Sequence, residues 1–283
     1  MRLTRTGIAA LVVVCGLGTV ATLAAQQTTN FSERVAIGSR SLWLNCTGAG
    51  KPTVLLEAGH GETSETWAPV VSHIAAFTRV CTYDRAGVGR SDPPAPGPRT
   101  ALSVTTDLHA LLKAARETGP FVLVGHSLGG AFVRLYATEN PIDVAAVVLV
   151  DAVHERDFTA VDELLTSEQR TAGSGMRPPS PERLDIEAIL GELGRARSVS
   201  TIPFIVLARG RPLGSDEMPP SWSADQRKRR EELRRSLQAD LATLSTTGAL
   251  ITALRSGHFI HHDEPALVTG AIRQLVEGWR RRR

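Results

Sequence analysis

The residues best suited to chemistry are Gly125-His126-Ser127-Leu128-Gly129-Gly130. They directly follow the apolar run Phe121–Val124 and lead straight into a helical pattern from Leu128 to Ala137. A serine placed this way in G-x-S-x-G reads as a nucleophile elbow, a sharp strand-to-helix turn. Glycine is needed on both sides because a Cβ in so tight a turn would strike neighbouring backbone. The turn lifts the hydroxyl above the sheet edge, and the start of the helix favours developing negative charge. A merely structural glycine-rich turn is the plain alternative, and the flanking strand and helix weigh against it. A serine hydroxyl is a weak nucleophile at neutral pH, so this reading requires an imidazole to take its proton and an acid to orient that imidazole.

Such a turn needs a sheet beneath it. Thr53–Leu56, Arg79–Tyr83, Phe121–Val124, Val144–Val150, Ile202–Ala208 and Ala249–Leu254 are short apolar runs bounded by Gly, Pro or polar residues. Buried parallel strands look like this. Val104, Leu108, Leu111, Leu112 and Ala115 form one apolar stripe at helical spacing, and Val268, Ile272, Leu275, Val276 and Trp279 form another. Strands alternating with such helices predict an α/β fold, a mostly parallel central sheet flanked by helices. The stretch from Ala152 to Ser200, with Gly173-Ser174-Gly175 and Pro178-Pro179-Ser180-Pro181, reads as an insertion between two strands. A second irregular stretch, Arg209 to Asp225, follows the next strand.

The charge balance is misleading at first sight. The 283 residues carry 32 Lys+Arg against 29 Asp+Glu, a formal +3. Arg2 and Arg5 precede an apolar stretch from Gly7 to Ala21, followed by small residues up to Ala25. That order is the signature of a secretory signal peptide over residues 1–25. The run is near the lower limit of the ~20 residues that a bilayer span needs, which leaves an uncleaved N-terminal anchor as the second reading. Removing the segment leaves 30 basic against 29 acidic residues, and setting Arg280–Arg283 aside leaves 26 against 29, a body of −3. The basic character therefore sits at the ends, with no aromatic-interleaved stripe, and nucleic acid is not an expected partner. The Arg-rich C-terminus offers a contact for anionic surfaces. The predicted location is periplasmic or extracellular, or membrane-anchored if the segment stays. Cleavage leaves Cys46 and Cys81, an even count that permits a disulfide in an exported chain; two small buried thiols are the other reading.

Five segments, LLEAGHGETSETW, VCTYDRAGVGRSDP, VLVGHSLGGAFVRLYA, VVLVDAVH and SGHFIHHDEP, together resemble the α/β-hydrolase superfamily, and the resemblance runs from about Glu33 to the end. It implies a hydrolase domain over residues 30–283 with a small helical cap at about 152–200. It also implies catalytic residues in the order Ser, acid, His. His258, in Ser256-Gly257-His258-Phe259, stands where the family carries its base; His261 and His262 are competitors. His258-x-x-His261-His262-Asp263 also has the look of a metal cluster. Adjacent side chains rarely share an ion without a distant further ligand, however, so neither metal nor cofactor is expected. His126 reads as packing beside the nucleophile.

The acid departs from the commoner pattern, in which an Asp closely follows the penultimate strand. Here that strand runs into Arg209-Gly210-Arg211-Pro212, and the first Asp is Asp216. Asp151 ends the strand after the elbow, a position some family members use, and is the preferred acid with Asp216 as the alternative. The oxyanion hole requires backbone N–H groups, expected from Leu128 and, by the match of Gly59-His60-Gly61 and Trp67, from His60. The segment Asp84-Arg85-Ala86-Gly87-Val88-Gly89-Arg90-Ser91 reads as a structural loop under the site.

The resemblance implies a serine hydrolase that cleaves an ester-like bond of a small acyl substrate, whether carboxylic ester, lactone or related. Relatives that open epoxides or cleave carbon–halogen bonds place Asp at the nucleophile, and Ser127 argues against those activities. Two alternatives remain: a non-hydrolytic lyase or perhydrolase with the same triad, and an inactive binding protein on the same fold. In the insertion, Leu164, Leu165, Ile186, Ile189, Leu190 and Leu193 among charges predict amphipathic helices, facing a pocket or simply docking the insertion.

Overall fold

The structure is a computed structural model and describes residues 30–173, 180–196, 199, 201–214 and 218–283. Residues 1–25, where a signal peptide is expected, and Asp216 lie outside the described residues. In chain order the strands are β1 (Phe31–Ala36), β2 (Ser41–Thr47), β3 (Thr53–Glu57), β4 (Val80–Tyr83), β5 (Phe121–His126), β6 (Val144–Val150), β7 (Phe204–Arg209) and β8 (Gly248–Ala253). The helices are α1 (Ala68–Ala75), α2 (Ala101–Ala114), α3 (Gly129–Glu139), α4 (Asp157–Asp162), α5 (Ser167–Gly173), α6 (Ile186–Arg195), α7 (Ala224–Ala242), α8 (Ile260–Asp263) and α9 (Pro265–Arg280).

All eight strands form one sheet in the order β1-β2-β4-β3-β5-β6-β7-β8. From β4 across to β8 every pairing is parallel. The strands β3, β5, β6 and β7 are buried along their whole length, which is why they read as unbroken apolar runs. Their side chains alternate between two cores. Leu55, Leu123, Leu149 and Val206 face Leu108 and Leu111 of α2, Val133 and Tyr136 of α3 and Leu241 of α7. On the other side, Val54, Leu56, Val124 and Val148 face Val70 and Ile74 of α1 and Val268, Ile272 and Val276 of α9. Each such Val, Leu or Ile contributes roughly 1.5–3 kcal/mol by leaving water.

Two strands add to the six expected from sequence. The antiparallel β1 and β2 extend the sheet beyond β4. In β2 only Leu42, Leu44 and Cys46 are buried, alternating with half-exposed residues, so no continuous apolar run marks it. Cys46 of β2 lies directly opposite Cys81 of β4, with Cα atoms 4.1 Å apart, and the two are joined in a disulfide.

Between β6 and β7 lie α4, α5 and α6. Ile189, Leu190 and Leu193 of α6 pack on Ala101 and Val104 of α2 and on Leu128, Phe132 and Leu135. For these residues the docking reading holds. The charged run at 227–235 belongs to α7, a helix opened by a capping box in which Ser223 and Gln226 satisfy each other's backbone N–H. It buries only Arg234, Leu237, Gln238 and Leu241. The last residue of α9, Arg280, donates to the carbonyls of Lys51 and Phe77. Among the described residues, no helix is long and apolar enough to cross a membrane.

Candidate active site

Ser127 occupies the turn between β5 and α3 with φ +50°, a left-handed conformation uncommon outside glycine. Its N–H donates to Val150 and its carbonyl accepts from Gly130 and Val153, so the strained residue is held from both sides. The flanking glycines are required by space. A Cβ on Gly125 would stand 2.6 Å from the Gly129 carbonyl oxygen, and one on Gly129 would stand 2.5 Å from that of Ala58.

Asp151, the residue after β6, also has a positive φ, +43°. Its N–H donates to Leu207 on the neighbouring strand. This places its carboxylate within reach of the loop after β8, where His258 Nδ1 donates to Asp151 Oδ2 at 2.6 Å. His258 is the partly exposed partner, its side chain 31% accessible, while that of Asp151 is fully enclosed. Asp151 thus stands against His258, while the alternative acid, Asp216, lies outside the described residues.

The structure adds a residue to this pair. Arg234 of α7 reaches Asp151 Oδ1 at 2.5 Å, and the same nitrogen donates to the Asp151 carbonyl at 3.0 Å. The Arg209 N–H donates to Oδ1 at 3.3 Å. Burial alone would push the Asp151 carboxyl up. The His258 hydrogen bond and the Arg234 charge outweigh burial and hold it well below the usual carboxylate range. Arg234 sits in the charged stretch 227–235; the signal that singles it out is its position on one face with Leu237, Gln238 and Leu241.

The loop after β3 lies beside the elbow. A Cβ on Gly59 would stand 3.0 Å from His126 Nδ1, and Ala58 faces Gly129 as above. His60 is exposed in that loop, and Leu128 stands at the N-cap of α3 among the helix-start amides. Buried Arg85 anchors the loop from below. It donates to Glu57 at 2.5 Å, to the carbonyls of Ala58 (2.7 Å) and Gly59 (2.6 Å), and to Glu182 at 2.6 Å. Glu182, from the insertion, accepts from the Gly61 N–H at 2.7 Å. Tyr83 donates to Glu57. Asp84 in turn accepts from the N–H groups of Ser64 and Arg90. The expected structural loop under the site is thus a buried ionic network.

Three further histidines surround the pair. His126 is fully buried, with Nδ1 3.1 Å from Glu62 and Nε2 donating to the His258 carbonyl at 3.1 Å. His261 is fully buried against Trp67, ring centroids 4.4 Å apart. Burial, with neighbouring His126, His262 and His258, pushes its imidazole down to about 2, so it stays neutral. His262 is exposed and donates to the Thr66 carbonyl. Neither competitor touches Asp151.

A cavity of about 260 Å³ opens at Ser127. Asp151, Val153, Asp157, Phe158, Val161, Arg230 and Arg234 complete its wall. A larger hollow of about 540 Å³, bordered by Asn45, Ser64 and Arg90, includes neither Ser127 nor Asp151 in its wall.

The comparisons with known proteins agree with this architecture. The alpha/beta hydrolase fold family matches residues 52–173, which span the loop after β3, the elbow and β6. An uncharacterized protein of Bacillus subtilis, YqjL, is 32% identical over 228 residues, covering 80% of this chain and 83% of that protein. A thermophilic esterase from Thermogutta terrifontis superposes with TM-score 0.62 at 19% identity, over 88% of this chain and 99% of its own. A haloalkane dehalogenase variant from Bradyrhizobium elkanii superposes with TM-score 0.64 at 15% identity, over 89% of this chain and 98% of its own. Those two likenesses concern the fold. With a relative similar over most of both chains and the family's core segment matched, the chain belongs to the α/β-hydrolase fold family.

Proposed function

We propose that the chain is a serine hydrolase that cleaves an ester-like acyl bond through Ser127, His258 and Asp151. The observation that carries this reading is the 2.6 Å hydrogen bond from His258 to Asp151, beside a serine held at positive φ on the elbow. Ser127 Oγ attacks the acyl carbonyl while His258 Nε2 takes the hydroxyl proton, and Asp151 stabilises the imidazolium. The backbone N–H groups of Leu128 and His60 receive the negative charge that develops on the carbonyl oxygen. Collapse of the tetrahedral intermediate breaks the acyl–oxygen bond, His258 returns the proton to the departing alcohol, and an acyl-enzyme forms. Water, deprotonated by His258, then releases the acid and frees Ser127. The haloalkane dehalogenase shares the fold, but this chain carries serine at the elbow.

The cavity at Ser127, about 260 Å³, falls just under the ~300–1,000 Å³ of typical ligand pockets, which supports a small acyl group. Val153, Phe158 and Val161 make part of that wall apolar. Within the insertion expected to form the cap, α4 covers the cavity by supplying Phe158 and Val161. The Cys46–Cys81 disulfide supports export to an oxidising compartment. A panel of p-nitrophenyl acyl esters of increasing length tests the substrate reading, with Ser127→Ala as control. An optimum of kcat/KM at short chains, abolished by the substitution, is expected. Activity that is flat along the panel and survives Ser127→Ala overturns it.

A further inference from the structure

The second histidine cluster is left unused by the chemistry above. Glu62, His126 and His261 each bring one ligand atom to within 4.8 Å of the others. They come from three separate segments: the loop after β3, the elbow, and α8. Both imidazoles are fully buried, and the Glu62 side chain is 20% exposed.

The hydrogen bonding of this cluster does not close. The His258 carbonyl can only accept, so it takes the N–H on His126 Nε2. Its Nδ1 faces a Glu62 carboxylate oxygen 3.1 Å away, and that oxygen also accepts from the Gly59 N–H at 3.0 Å. His261 has Nε2 3.0 Å from the Thr66 hydroxyl, while its buried Nδ1 has no hydrogen-bond partner. Each histidine thus has one nitrogen tied to an oxygen, as metal-ligating histidines do.

We infer that Glu62, His126 and His261 bind one divalent transition-metal ion of the zinc class. Two imidazoles and one carboxylate suit zinc and its neighbours better than magnesium or calcium, which prefer all-oxygen shells. Three protein ligands leave a fourth position for water, and the exposed part of Glu62 gives the ion a way in. Of the His258-x-x-His261-His262-Asp263 segment only His261 takes part. His258 is held by Asp151, His262 by Thr66, and Asp263 by Arg211 and the Gly257 N–H. The distant ligands that the segment lacks on its own come from Glu62 and His126. The bound ion ties the loop after β3, the elbow and the His258 loop together.

The test is zinc chloride titrated calorimetrically into the metal-stripped full chain. One ion per chain is expected. Glu62→Gln and His261→Gln should each weaken binding at least ~100-fold, and replacement of the exposed His73 by Gln should leave it unchanged. Ser127→Ala should bind zinc as the native chain does, so the result is independent of the hydrolase reading. X-ray absorption on the zinc-loaded native chain covers the case of a variant that does not fold. A shell with two imidazole nitrogens is expected. No stoichiometric binding, binding indifferent to both substitutions, or a shell without imidazole overturns the site.

Discussion

Asp151 has three partners in one side chain: it accepts from His258 Nδ1, it pairs with Arg234, and it receives the Arg209 N–H. Removing Arg234 leaves a fully enclosed carboxylate with one of its charged partners gone, a loss of about 3–5 kcal/mol for buried pairs of this kind. Arg234→Met should therefore destabilise the chain and lower kcat, and Arg234→Lys should recover part of both. The dependence on pH has a definite sign. A carboxyl held below its unfolded value of ~3.9 adds stability that is present above that pH and lost as the pH falls below it. The stability difference between the native chain and Arg234→Met, measured by urea unfolding, should be full at pH 7 and shrink towards pH 3. A difference that is the same at both pH values contradicts this role. Ser127 and its glycines are legible in sequence because the elbow demands particular residue types at fixed spacing. Asp151 is legible from its place at a strand end. Arg234 is not, because its role depends on a helix and a strand end that are 83 residues apart in sequence.

At the scale of elements, the same contrast recurs. The strands β3, β5, β6 and β7 announce themselves because both faces are covered, whereas β2 alternates and α7 is charged along most of its length. The helix α7 packs through a narrow strip and owes its register to Leu237 and Leu241. The helix α6 is the more informative target, because Ile189 and Leu193 share one cluster with Leu128 and Phe132 at the start of α3. Leu193→Ala should cost about 2–5 kcal/mol by lost burial and the cavity left behind. Because Leu128 belongs to that cluster, activity should fall at temperatures where the fold persists. A thermal melt beside an assay at 25 °C checks this. A loss of melting temperature with unchanged turnover would show that α6 only docks.

The whole molecule is a sheet closed on both faces by helices, with a covalent tie between β2 and β4. Cys46 and Cys81 are separated by 35 residues, and in the chain-entropy account a loop of that size is worth about 4 kcal/mol. Reduction with dithiothreitol should lower the melting temperature and leave the elbow and the His258–Asp151 pair in place, since neither touches the disulfide. Turnover at 25 °C should survive reduction. The hydrolase reading depends on Ser127 being the nucleophile, and a fluorophosphonate probe tests this most directly. Peptide mapping of the labelled native chain should place a single adduct on Ser127, with labelling lost in Ser127→Ala and strongly slowed in His258→Ala. Folded native protein that takes up no label, or carries it on another residue, would contradict the account.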